Sequence, residues 1–80
     1  MKRIPLGKTS LRVSQLGLGT WAIGGGPAWN GDLETQVCID TIVEAWRCGI
    51  NLIDTAPGYN FGNSEVIVGK ALAGLPRDEV

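Results

Sequence analysis

The sequence predicts an α/β fold built on parallel strands. Two strand-then-helix units follow one another between Leu16 and Ala73, and each apolar strand run is short and bounded by glycine, proline or a polar turn. Returning through a helix brings the next strand in with the same direction, so such strands pair in parallel. A parallel sheet needs cover on both faces, and two strands with two helices cannot provide it. The 80 residues are therefore expected to be the amino-terminal part of a larger α/β protein.

Ile4-Pro5-Leu6 and Leu11-Arg12-Val13 flank the polar turn Gly7-Lys8-Thr9-Ser10, which predicts a hairpin. Leu16 to Thr20 reads as a buried strand whose two glycines let other backbone or a ligand come close. Residues 24 to 32, GGGPAWNGD, form a loop, because three glycines and a proline cannot sit inside a helix or a central strand. Asp32 is the expected N-cap of a helix from Leu33 to Cys48, with Cys38, Ile42 and Ala45 on one face and the solvated Asp40, Glu44 and Arg47 on another. Trp46 is read as packing, and Gly49 as the closing C′ residue. Ile50 to Asp54 is a short strand, β-branched and apolar until its last residue. Asn63 or Ser64 is expected to cap a second helix through Ala73, stopped by Gly74 and Pro76. Glu65 falls in its first turn, where the helix dipole favours an anion. Gly69 lies inside that helix at a cost of about 1 kcal/mol relative to alanine, which suggests close packing against a strand.

Seven Lys and Arg against eight Asp and Glu leave a net charge of −1 with scattered cations, so neither nucleic acid nor an anionic membrane is an expected partner. The apolar runs fall short of the roughly 20 residues that span a bilayer. No signal-peptide stretch follows MKRIPLGKTS, so a cytoplasmic protein is expected. Cys38 and Cys48 lie on one predicted helix about 15 Å apart along its axis. A disulfide needs Cα atoms within about 7 Å, so both are expected as free thiols in a reducing compartment. With no histidine and no CxxC, no metal site is expected.

Asp54 is the residue that needs explaining, a carboxylate at the end of an apolar strand. In parallel α/β proteins, ligands bind at the carboxyl ends of the strands. The loop with Tyr59 and the loop with Trp21 and Trp29 open onto that same rim, and Asp54 shares the parity of Ile50 and Leu52. A tyrosine can protonate a carbonyl oxygen, but with a reference pKa of about 10 it is a weak acid at neutral pH unless a neighbour assists. A carboxylate alone acts in the wrong direction, so Asp54 needs a cation beside it. Lys2 and Lys8 lie on the hairpin and Lys70 on an outer helix, which leaves that cation to residues outside this chain.

GINLIDTAPGYNFGNSEVIVGKAL, residues 49 to 72, resembles the signature of the aldo-keto reductase family at Asp54, Thr55, Ala56, Tyr59, Gly62, Ser64, Glu65 and Gly69. LGKTSLRVSQLGLGTWAIGG at the start is similar to the same family, so nearly the whole chain is covered. The resemblance implies a (β/α)₈ TIM barrel, with residues 1–14 as a hairpin closing its floor and 15–80 as its first two βα units. It implies NADPH or NADH as cofactor and a small-molecule carbonyl substrate. Tyr59 would be the general acid, with Asp54 pairing with a lysine from the third strand and a histidine after the fourth completing the set. Gly19, Thr20, Trp21 and Asp54 would lie near the cofactor, and Trp21, Trp29 and Tyr59 near the substrate. On this reading the 80 residues alone are inactive.

Two alternatives compete. Barrels of this family also serve as channel-associated, non-catalytic subunits. Gly17-Leu18-Gly19-Thr20-Trp21-Ala22 also fits the dinucleotide-binding G-x-G-x-x-G/A pattern, but that motif needs a helix to start there, which Gly24-Gly25-Gly26-Pro27 forbids. Asp40, the acidic residue at the appropriate distance, lies in mid-helix and not at a strand end.

Overall fold

A computed structural model describes residues 1–80. The chain opens with strands β1 (Arg3–Pro5) and β2 (Arg12–Ser14), paired antiparallel with Ile4 opposite Val13. The turn between them is closed by hydrogen bonds from Leu6 N to Leu11 O (2.9 Å) and Thr9 Oγ1 to Leu6 O (2.6 Å). β3 (Leu18–Gly19) then leads into a single helical turn, α1 (Trp21–Gly24), and a 3₁₀ turn at Pro27–Trp29. Helix α2 (Thr35–Arg47), strand β4 (Ile53–Asp54) and helix α3 (Asn63–Leu72) follow, and a 3₁₀ turn at Arg77–Glu79 completes the order. β3 and β4 are parallel, with Leu18 beside Ile53 and Gly19 beside Asp54. The two βα units are thus as the sequence predicts, although the regular ladder is shorter than the apolar runs.

The expected helix at Leu33–Cys48 is in place, with Cys48 as C-cap and Gly49 at φ +101°. Its start differs: the N-cap is Glu34, in extended backbone and without a side-chain cap. Asp32 is used elsewhere, as described below. The core joins Cys38 and Ile42 of α2 to Ile67, Val68 and Ala71 of α3 and to Ile23 of α1. Residues 67, 68 and 71 recur at the three- and four-residue intervals that place side chains on one helix face. Leu18 and Ile53 pack against this cluster from the sheet. All the helical cover therefore lies on one face of the β3–β4 pair.

Asn51, just before β4, fixes the hairpin. Its Oδ1 accepts the Ser14 N–H (2.6 Å), its Nδ2 donates to Arg12 O (3.1 Å) and its N–H donates to Ser14 Oγ (3.1 Å). These bonds hold the hairpin at the amino end of β4, opposite the end that carries Asp54. No helix is long and apolar enough to cross a membrane.

Gly69 does not pack closely here: a Cβ added at that position meets nothing within 4 Å. Gly69→Ala should raise stability by about 0.5–1 kcal/mol, since it removes backbone entropy from the unfolded chain without a clash. A lower Tm in the variant would mean that residue 69 touches chain outside these residues. Cys38 is 1% exposed and Cys48 lies on the surface, both as free thiols. Burial pushes the Cys38 thiol above its ordinary value and disfavours the reactive thiolate. A thiol reagent at pH 8 should therefore modify Cys48 rapidly and Cys38 only on unfolding; equal rates would contradict this packing.

Candidate active site

The rim begins with the last register pair of the parallel strands. Leu18 and Ile53 face the helices, so the alternation of a strand sends Gly19 and Asp54 to the opposite face, where both are exposed. A Cβ at Gly19 would meet nothing within 4 Å, which leaves open space beside the carboxylate. One pair earlier on the same face, a Cβ at Gly17 would lie 3.4 Å from the Leu52 side chain, so leucine fills the layer beneath. Asp54 has no cation beside it within the chain, whose one ion pair joins Arg47 and Glu44 on α2 at 3.6 Å. This agrees with the positions of the lysines in sequence.

Tyr59 follows in a turn closed by its N–H on Ala56 O (3.2 Å) and is half-buried. The Trp21 ring stacks on it, with centroids 6.0 Å apart and planes at 22°. Trp29 meets Trp21 edge to face at 5.3 Å and 86°. Both geometries suit the quadrupoles of aromatic rings. Trp29, Trp21 and Tyr59, drawn from two loops separated in sequence by a helix and a strand, thus form one continuous aromatic row. Trp21 and Trp29 remain about half exposed, at 52% and 46%.

Of the three consecutive glycines, Gly24 and Gly26 let the two loops come close, a Cβ at Gly26 standing 2.7 Å from Asn60 Oδ1, and Gly25 lets the first loop fold back on itself. A Cβ at Gly24 would lie 3.0 Å from Ser64 Cβ and 3.3 Å from Tyr59 O. Gly25, at φ 75° and ψ −150°, would place one 2.8 Å from Asp32 Oδ1 and 3.0 Å from Asp32 Cα. That backbone region is open essentially to glycine alone. Asp32, expected as a helix cap, instead accepts hydrogen bonds from Gly26 N–H (3.0 Å) and Asn60 Nδ2 (3.2 Å). Asn60 Nδ2 and Asn63 Nδ2 both donate to Gly24 O, at 3.0 and 2.9 Å. A tie between loops needs the same short polar side chain as a helix cap, and residue type alone did not separate the two uses. The signal available was glycine crowding upstream of an aspartate.

Thr20 and Ser64 are both 0% exposed. Thr20 Oγ1 donates to Asp54 O (2.8 Å) and lies 2.7 Å from Ser64 Oγ, so this hydroxyl faces protein and not the rim. The cap of α3 is Gly62, at φ 92°, and neither Asn63 nor Ser64. Asn63 joins the loop clamp and Ser64 the buried hydroxyls, where Thr55 Oγ1 also reaches it at 2.9 Å. A helical turn does start at Trp21, contrary to expectation, but Gly25 stops it after four residues and no crossover helix grows from it. The largest concavity, about 920 Å³, runs along the outer face of α2 between Val37 and Ile50, away from the rim. The rim is an open wall within this chain.

The profile of the Aldo/keto reductase family matches residues 15–80. The chain belongs to this family. It is 78% identical over its whole length to the NADH-specific methylglyoxal reductase of Escherichia coli K12, of which it covers 24%. It is 41% identical over 81 aligned positions to a provisionally named voltage-gated potassium channel subunit beta of Schizosaccharomyces pombe, covering 96% of this chain and 22% of that one. The solved aldo-keto reductase AKR11C1 of Bacillus halodurans, in its holo form, matches all of the chain and 24% of its own at TM-score 0.82 and 36% identity. The aldo/keto reductase chain thus spans about a quarter of the length of these relatives, and its α/β units match the opening part of a (β/α)₈ barrel. Gly25→Ala should destabilise it by about 1–3 kcal/mol, because that backbone region excludes a Cβ. Thermal melting and the near-UV dichroism of the tryptophans would check this, and an unchanged spectrum at wild-type Tm would refute the crowding.

Proposed function

We propose that the protein carrying this chain is an oxidoreductase that reduces an aldehyde or ketone of a small molecule to an alcohol with NADH or NADPH. The observation that carries this reading is the shared rim. Asp54 projects from the face opposite the helices into space left open by Gly19, and Tyr59 lies in the next loop under the Trp21 ring. The 78% identity to an NADH-specific methylglyoxal reductase supports NADH and a short, methylglyoxal-like carbonyl as the finer choice.

The residues fit a nicotinamide in one respect: beside Asp54 the strand end has no side chain at Gly19, and the flat face of Trp21 borders the loop above. Gly19, Trp21 and Asp54 would border the cofactor, while Thr20, fully buried with its N–H, carbonyl and hydroxyl bonded within the chain, would only support them from behind. When bound, the reduced nicotinamide supplies the hydride that forms the new C–H bond. Tyr59 gives its phenolic proton to the carbonyl oxygen as the C=O π bond opens, and regains a proton from solvent. Asp54 holds a lysine contributed from outside these residues, whose positive charge assists the phenol. Trp21 and Trp29 wall the substrate and exclude water. The hairpin held at the amino end of β4 would close the barrel floor.

The match to a channel subunit supports a second reading, an interaction subunit without turnover. One experiment separates the two. In the full-length protein, Tyr59→Phe should lower kcat for carbonyl reduction by about 10²-fold or more, with nicotinamide affinity within about twofold of wild type. The isolated 80 residues, which lack the cation, serve as an inactive control. Wild-type turnover in Tyr59→Phe would remove the phenol from the reaction, and no turnover in the wild-type protein would favour the interaction subunit.

A further inference from the structure

Proton counting around Ser64 gives the buried hydroxyls a direction. A backbone carbonyl only accepts, so the 2.8 Å contact between Thr20 Oγ1 and Asp54 O uses the proton of Thr20. The 2.7 Å contact between Thr20 Oγ1 and Ser64 Oγ then falls to Ser64, whose one proton is shared between Thr20 Oγ1 and the Thr20 carbonyl oxygen at 3.0 Å. With that proton committed, the 2.9 Å contact between Ser64 Oγ and Thr55 Oγ1 is donated by Thr55. The three hydroxyls form one chain, Thr55 to Ser64 to Thr20 to the carbonyl of Asp54, in which each donation strengthens the next acceptor. Ser64 sits in its middle at 0% exposure.

Ser64 also reaches the other half of the site through its backbone, because its N–H donates to Tyr59 O at 3.4 Å. It is thus bonded directly to the main chain of Tyr59 and, through one threonine, to the main chain of Asp54. The geometry points to Ser64 as a positioning residue that fixes the separation between the Asp54 carboxylate and the Tyr59 phenol. The inference rests on the carbonyl-reductase reading of that pair. No other residue bonds to both loops in this way: Asn60 and Asn63 reach Gly24, on the Trp21 side, and neither reaches Asp54. The site has no room for a longer tie, since a Cβ at Gly24 would already stand 3.0 Å from Ser64 Cβ. Alanine at position 64 keeps the shape and loses the chain: Thr20 still bonds to Asp54 O, while Thr55 is released.

Displacing reacting groups by about 1 Å can lower a rate by roughly a hundredfold. In the full-length protein, Ser64→Ala should lower kcat by about ten- to a hundredfold while KM and cofactor affinity stay within about twofold, in a variant that remains folded by circular dichroism. In a Tyr59→Phe background the same substitution should cost less than about twofold, because the group it positions is gone. A folded Ser64→Ala with wild-type kcat would overturn the inference, as would a loss that persists undiminished in the Tyr59→Phe background. If Ser64→Ala does not fold, Ser64→Cys, with a weak donor in the same place, is judged by the same two criteria. Wild-type turnover of Tyr59→Phe alone would instead overturn the reductase reading, so the two failures are distinct.

Discussion

The parallel pairing of β3 with β4 is the constraint on which the rest of the molecule depends. Its ladder is short, with regular pairing only at Leu18–Ile53 and Gly19–Asp54, extended by Leu18 N–H on Leu52 O and Thr20 N–H on Asp54 O. A net hydrogen bond contributes only about 1 kcal/mol, so so few bonds would not hold two strands by themselves. Burial of Ile23, Cys38, Ile42, Ile67, Val68 and Ala71 against Leu18 and Ile53 supplies the larger part, and it acts on one face only. The other face is left to Gly17, Gly19, Leu52 and Asp54. A sheet that is packed on one side and open on the other at its carboxyl end presents its polar strand terminus outward, and this asymmetry is what makes Asp54 available.

The same asymmetry accounts for how much of the site could be read from sequence. Asp54, Gly19 and the hairpin were legible because strand parity and turn chemistry are local properties. Gly49 was legible for the same reason: a glycine after a helical run needs no tertiary information. Asp32, Asn60, Asn63 and Ser64 were assigned local duties or none, and all four proved to be tertiary ties between loops that lie 28 to 44 positions apart. The short polar side chains that cap helices are also those that bridge loops, so residue type could not choose between these uses. Gly69 failed in the opposite direction, since a packing role was inferred from the cost of a helical glycine and no neighbour within the chain repays it.

The triple glycine and the hydroxyl chain serve complementary ends. Gly24 and Gly26 let the loop after β3 approach the loop after β4 more closely than any side chain permits, Gly25 lets the first loop fold back on its own Asp32, and Asp32, Asn60 and Asn63 hold the approach with hydrogen bonds. The stacked Trp21 and Tyr59 rings follow from the approach and do not cause it, because an aromatic pair contributes only about 0.5–1.5 kcal/mol beyond its buried area. The row of rings is therefore a surface set by backbone geometry. Its outer member, Trp29, sits on a 3₁₀ turn held by Trp29 N–H on Gly26 O at 3.0 Å, so its position is tied to the glycines as well.

An exposed carboxylate on an unpaired strand face would be an ordinary surface group were it not for the rigidity behind it. The Asp54 main chain receives two donors from Thr20, and the hydroxyl behind Thr20 is itself held by Ser64, so the strand end has little freedom to relax toward solvent. Fixing a group in this way loses entropy, and a protein gains from it when the group must meet a partner at a defined place. The chain offers Asp54 no cation, and the three aromatic rings form one wall without an opposite side. Both facts describe a rim in which the carboxylate, the wall of rings and the buried hydroxyls behind them are ordered by contacts within these residues alone.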